Sequence, residues 1–394
     1  MKQILKLKNT IQDYAWGSHT AIAELLGRPS PSREPQAELW MGAHPKAPSL
    51  VFTGGEWRSL ADVIAESPED VLGARTAERF DGKLPSLFKV LAAGQPLSIQ
   101  AHPTLEQAKR GFARENKQGI ALDAPNRNYR DDNHKPEIIC ALTPFWTVNG
   151  FRRVEELVAK FRRISSAELS KEIDRLEAQP DATGLERFFG DIMTMDGERQ
   201  TKTVAQTVEF AREHSGEDPA WDWVIKLDAQ YPGDIGVLSP VILNVVLLQP
   251  GQAMLLHAGQ LHAYLDGLGI ELMANSDNVL RGGLTPKHVD VPELLDVLNF
   301  AEKTIDVVTP GPDGTYPSDV DEFRLSVIEV NGGASFVSAD DRSVEIWICT
   351  AGEAKLTCAG DELEVSKGVS FVVPAAAAPY HIVGTATLYR ASVP

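Results

Sequence analysis

The chain has 394 residues, 43% of them hydrophobic and 24% charged, with a net charge of −17. That length predicts two or three domains rather than one core, and the composition excludes a disordered chain. The acidic balance argues against nucleic acid or an anionic membrane as a partner, and no run approaches the roughly eighteen apolar residues of a membrane helix. The three cysteines, Cys140, Cys349 and Cys358, form neither a CxxC pair nor an even set, and Met1 to Thr10 lacks the apolar core of a signal peptide. A reducing, cytoplasmic setting with buried thiols is therefore expected, and no obligate protein partner is evident. An acidic protein that binds a phosphate must gather its cations locally.

From Pro85 to Cys140 the pattern is short apolar strands broken by turns: "PSLFKVLAA", "PLSIQAHP" and "HKPEIICAL". From Val154 to about Lys226 the period becomes helical, as in "VEELVAKFRRI" and "TVAQTVEFAREH". Strands return at Val241 with "VILNVVLLQP" and "QAMLLHA", followed by a helix that Asp290 and Glu293 cap and that runs through "ELLDVLNFAE". Thr309 to Asp319, rich in Pro and Gly, reads as a linker, and Val320 to Pro394 is a run of short strands. The expected architecture is mostly β: two β-barrels, with a helical block inserted into the first. Residues 1–150 and 237–308 form the first barrel, 151–236 the helical insertion, 309–319 the linker and 320–394 the second barrel.

Two glycine-led segments are distantly alike. "GQAMLLHAGQLH" starts at Gly251 and "GVSFVVPAAAAPYH" at Gly368. Both resemble the second motif of cupin (jelly-roll) barrels, in which Gly, Pro, Gly and a metal-binding His follow at fixed spacing. The first copy runs from Gly251 through Gly259 to His262, with His257 in the Pro position, where it is an extra polar group at the pocket rim. The second has Pro374 but Ala376 for the later Gly, and its Tyr380-His381 come too late. It reads as a degenerate barrel without metal.

In "PLSIQAHPT" the two-residue period of a strand puts Leu97, Ile99 and Ala101 on one face and Ser98, Gln100 and His102 on the other. Thr104 and Gln107 then make a capping box, so a helix follows at once. Taken alone, the stretch is also a half-exposed strand carrying a surface histidine. In "DDNHKPEIICAL", Lys135 and Glu137 share a face, which alone fits a surface ion pair as well. With His262 of "AGQLHAYL", His102 and Glu137 supply two imidazoles and a carboxylate, the ligand set of a catalytic zinc site with room for water or substrate. Gln100 is by chemistry a poor zinc ligand. The loop "MANSDNVLRGGLTPKHVD" carries Asp277, Arg281 and Lys287, and its Gly282-Gly283 allows close approach to a ligand.

"YAWGS", "ELWMGAHP", "PSLFKVL", "LSIQAHPT", "NHKPE", "HAYL" and "MANSDNVLRGGLTPK" occur in this order, and together they closely resemble the type I phosphomannose isomerase family from Tyr14 to Val297. The resemblance implies one zinc per chain held by Gln100, His102, Glu137 and His262. It implies an active-site arginine at Arg281 and further pocket residues at Lys89, Ser98, His134, Lys135, Glu271, Asp277 and Lys287. It also implies interconversion of mannose 6-phosphate and fructose 6-phosphate through an enediolate, in mannose metabolism and nucleotide-sugar supply. Two departures are Leu261, where the family usually has Pro before "HAYL", and His257.

Proton transfer between carbons 1 and 2 needs a base, and a free imidazole such as His134, the carboxylate of Asp277 or a lysine such as Lys135 each qualifies. Arg281, a permanent cation, stabilises charge rather than taking a proton. Ser98, Lys135 and Lys287 are candidates for the phosphate, with Lys89 nearer the zinc and Glu271 lining the substrate pocket. Two other classes share the barrel, an iron oxygenase and a sugar-binding module. A two-His-one-carboxylate iron site has no use for Gln100 or the Arg281/Lys287 loop, and a sensor would have lost ligands that are all present here.

Overall fold

A computed structural model describes residues 2–394 and distributes the strands over two antiparallel sheets, one of ten strands and one of nine. The apolar runs of the sequence become strands Ser86–Ala93, Glu137–Ala141, Leu243–Leu248 and Ala253–Leu256. The first two are buried along their whole length because both faces are covered. Their inner side chains (Lys89, Leu91, Glu137, Ile139) face the barrel interior. Their outer ones (Phe88, Val90, Ile138, Cys140) join a core shared with Val344, Ile346, Val372 and Tyr389 of the C-terminal unit.

The "PLSIQAHP" stretch is a strand only at Gln100–Ala101. Around it the chain stays extended but bonds to loops as well as strands: Leu97 N–H donates to Tyr264 O and Ile99 N–H to Gly283 O. The expected alternation survives, with Ile99 and Ala101 packed against the helical block. Helix Leu105–Lys117 starts at the Thr104–Gln107 capping box. The Asp290-capped helix, Val291–Val297, is shorter than its pattern, because Asn299 N–H is taken by Gly259 O and the chain turns off.

Strand His262–Ala274 carries the architecture. Its first half pairs with Phe145–Phe151, its second with Ser86–Ala93 and Glu137–Ala141. The change of partners falls at a bulge between Tyr264 and Asp266 and at Gly267, whose φ is +129°. The helical block runs from Val154–Ile164 to Pro219–Gln230, with Asp181, Asp196 and Asp218 capping three of its helices, and a last turn reaches Ile242.

The C-terminal unit differs from expectation in two ways. Its main strands, Glu345–Cys358 and Tyr380–Ser392, are long, with 14 and 13 residues, and bend at a bulge near Thr350. Its sheet also recruits the N-terminus: Leu5–Lys8 pairs with Ser370–Val373 and with Leu50–Thr53, which pairs with Glu56–Ser59. Nor is the connector a loose tether. Tyr316 is buried, and its hydroxyl donates to Gly251 O of the first barrel, while its N–H donates to Leu325 O of the second unit. The fold is mostly β, with a helical insertion and two cupin-type units.

Candidate active site

Register builds the site. Gln100 lies between His262 on one side and Arg281 on the other, each its direct strand partner. Glu137 arrives from the neighbouring wall, opposite Met273. The Nε2 atoms of His102 and His262 each lie 3.5 Å from an oxygen of Glu137, and all three side chains are essentially inaccessible to solvent. Their ligand atoms fall within 4.8 Å of one another, the one such cluster among the described residues.

Both Nε2 atoms are buried without a hydrogen-bond partner. On each ring Nδ1 is engaged instead, His102 with Asn278 O at 2.8 Å and His262 with Gln260 O at 3.0 Å. A carbonyl can only accept, so each Nδ1 carries the hydrogen and each Nε2 presents a lone pair inward. Burial and the nearby Lys135 cation push His102 down to about 4, so its ring is neutral at pH 7. Burial alone would raise the Glu137 carboxyl, but Lys135 and His102 more than offset it and hold the group well below the usual carboxylate range. Two imidazoles whose Nε2 atoms lack a protein partner, converging with a carboxylate on one point, fit a zinc ion. The half-buried side-chain amide of Gln100, the strand partner of His262, makes no hydrogen bond within the protein.

A buried polar chain extends from this cluster. Lys135 Nζ is 2.8 Å from Glu137 Oε1, and Tyr264 Oη lies 3.5 Å from Oε2. Lys89 Nζ is 2.8 Å from Glu271 and 3.5 Å from Glu38, which also accepts from Trp40 Nε1. Two carboxylates share one ammonium here. Burial raises the Glu271 carboxyl, and Glu137 and Glu38 add to that against Lys89; burial alone would lower the lysine, but its two carboxylates raise it.

Asp277 pairs with Lys46 at 2.8 Å, with His44 3.8 Å away. Burial alone would raise its carboxyl, but Lys46 leaves it below its ordinary range. His134 is not a free imidazole: its Nε2 is 2.6 Å from Glu322 at the start of the C-terminal unit. Ser98 is half-buried beside Gln100. Arg281 and Lys287 make no ion pair, and neither does Arg130; burial lowers the first two, and their like-charged neighbours lower them further. His257 is exposed, and Leu261 is buried against the helical block. The structure thus brings His102, Glu137 and His262 together with Lys135 and the Lys89–Glu271 pair, and it engages His134 elsewhere.

Sequence reasoning missed Glu38, Tyr264, Arg130, Lys46 and Asn278. Tyr264 was within reach, because it lies two residues beyond His262 on a strand and so shares its face. Glu271 and Tyr264 both approach Glu137 although seven residues apart, since the bulge at Tyr264/Asp266 reverses the alternation.

This fold and site define a metal-binding cupin enzyme with a buried ligand cluster and a rim of free cations. Family models for the type I phosphomannose isomerase catalytic domain and helical insertion domain match residues 4–154 and 162–243, and the mannose-6-phosphate isomerase cupin domain matches 313–393. Mannose-6-phosphate isomerase of Escherichia coli (strain K12) is 42% identical over 98% of both chains, and that of Homo sapiens 37% identical over 76% of this chain and 73% of its own. A mutant phosphomannose isomerase from Salmonella typhimurium superposes with a TM-score of 0.93 at 40% identity over 99% of both chains. A zinc-bound mannose 6-phosphate isomerase gives 0.92, at the same identity and coverage. The chain belongs to the type I phosphomannose isomerase family.

Proposed function

We propose that this protein interconverts mannose 6-phosphate and fructose 6-phosphate, using one zinc held by Gln100, His102, Glu137 and His262. The observation that carries the reading is the pair of buried, unpartnered imidazole nitrogens converging on Glu137 beside a group of unpaired cations. A bound zinc supplies Lewis acidity toward the sugar's oxygens. The chain does the rest. Arg281, Arg130 and Lys287 receive the phosphate and the oxyanion charge: desolvated cations held near one another without carboxylates gain most from an incoming anion. Ser98, beside Gln100, offers them a hydroxyl donor.

The reaction removes a proton from carbon 2 of the open-chain aldose to leave an enediolate, returns a proton to carbon 1, and moves the hydroxyl proton from oxygen 2 to oxygen 1. Lys135, beside Glu137 and largely buried, is our candidate for carrying it. Lys89 and Glu271 fix the interior wall, and Asp277, engaged by Lys46, orients the rim. Residues 1–150 and 237–308 act as the catalytic unit, 151–236 and 320–394 as its supports, and 309–319 as the connector. No helix is long and apolar enough to cross a membrane, and three buried free thiols support a reducing cytoplasm. Assaying the purified protein on mannose 6-phosphate before and after chelation, then after restoring zinc, tests the reading. Conversion that survives complete zinc removal would overturn it.

A further inference from the structure

His134 precedes Lys135 and lies three residues before the ligand Glu137, in a stretch with no regular structure of its own. The backbone up to Asn133 is fastened to the 275–278 loop. Asn133 O accepts from Asn278 Nδ2 at 2.9 Å, Asn133 N–H donates to Asp131, and Asn133 Nδ2 donates to Asn275 O. From Pro136 the strand ladder takes over, through Ala274 N–H to Pro136 O. Between these anchors only two residues remain, His134 and Lys135. Lys135 points to Glu137, and His134 reaches Glu322 with Nε2 2.6 Å from Oε1.

Glu322 is itself rigidly delivered. Its neighbours Val320 and Phe323 are buried in the core shared by the two barrels, and Asp321 pairs with Arg79. The Glu322 side chain is 12% exposed, so its hydrogen bond to the imidazole is shielded from water. Burial would raise its carboxyl, yet the bond to His134 leaves it below the ordinary range, so it is ionised at neutral pH.

We propose that Glu322 is a positioning residue for the isomerase reaction: by holding His134 it fixes the backbone that aims Lys135 at the ligand cluster. The C-terminal unit thereby contributes to catalysis through the first residues of its chain, without touching substrate. This inference rests on the isomerase reading, and wild-type conversion of mannose 6-phosphate, measured first, tests that reading separately.

The test compares Glu322→Ala, Glu322→Gln, His134→Ala and the double variant Glu322→Ala/His134→Ala as zinc-loaded enzymes, with kcat, KM, zinc content and Tm measured on each. Glu322→Ala lowers kcat about tenfold with KM within about twofold, since misplacement of a reacting group by less than 1 Å suffices for such a loss. Glu322→Gln, whose amide oxygen still accepts from His134, recovers most of the loss. The double variant is no slower than His134→Ala alone, because both changes break the same contact. Normal kcat in Glu322→Ala overturns the proposal. So does an additive loss in the double variant, or a loss that tracks missing zinc or a lowered Tm, which marks a merely structural role. If Glu322→Ala does not fold, Glu322→Leu and His134→Ala, neither of which can make the contact, decide: turnover near wild type in both overturns the proposal.

Discussion

Each zinc ligand answers to a different constraint. Glu137 is the only anion in the set, so Glu137→Gln removes the charge that a divalent ion requires and leaves Lys135 Nζ beside an amide. Zinc per chain, measured by chelator titration, should fall well below one, and activity with it. Gln100→Ala should keep more of the metal, because an amide oxygen is a weak donor for zinc. The reverse order of loss refutes these roles. Arg281→Lys should lower kcat about a hundredfold, the loss of one oxyanion donor, because an ammonium cannot reproduce two parallel guanidinium bonds. Zinc content should not change, and steady-state kinetics beside metal analysis checks both. Gln100 came only from the family resemblance, whereas His102, Glu137 and His262 were legible in the sequence because imidazole and carboxylate carry their chemistry in the side chain. What orients them was not: the acceptors for His102 and His262 are the main-chain carbonyls of Asn278 and Gln260, and any residue type has one.

At the scale of elements, local signals carried over and distant ones did not. The capping box at Thr104 and the N-cap at Asp290 start helices where their side-chain chemistry requires. The Asp290 helix ends early because a backbone group elsewhere, Gly259 O, claims its continuation. The long strand His262–Ala274 shows the same limit. It needs Gly267, where a Cβ would lie 2.7 Å from Pro144 O and 2.8 Å from the Phe145 ring at a φ of +129°. Gly267→Ala should therefore cost about 3 kcal/mol, strain and overpacking together. Gly119 provides the control, since its φ is also positive but nothing lies within 4 Å of the added Cβ. Gly119→Ala should cost about 1 kcal/mol. Chemical denaturation of the two variants compares them, and equal losses would mean that the change of strand partners tolerates a side chain.

At the scale of the molecule, two walls of the site have separate supports. The helical block packs behind Ile99, Ala101 and Leu280, the wall carrying Gln100 and Arg281, and the C-terminal unit packs behind Phe88, Ile138 and Ile270, the wall carrying Lys89, Glu137 and Glu271. Alternation in sequence announced the two barrels and the helical insertion. It could not announce that Leu5–Lys8 completes the C-terminal sheet, since a pairing across more than 360 residues has no local signature.

The interior of the C-terminal unit is filled by its own side chains. Glu345, 3% exposed in its side chain, accepts from Arg390 at 3.0 Å and from Tyr380 at 2.5 Å, with Trp347 stacked on Phe371 nearby, while His381 lies exposed on the surface. His381→Ala should accordingly leave zinc at one per chain. Glu345→Ala strips the half-buried guanidinium of Arg390 of its carboxylate partner, and leaving that charge partly desolvated costs about 2 kcal/mol. The variant should melt at a clearly lower temperature, yet below its transition retain zinc and turnover, because none of these groups reaches the first barrel's ligand cluster. Thermal unfolding followed together with zinc release and activity makes the distinction. Loss of zinc or turnover well below the melting transition would mean that the charge cluster of the second unit acts on the site directly, and would refute a purely bracing role for that part of the fold.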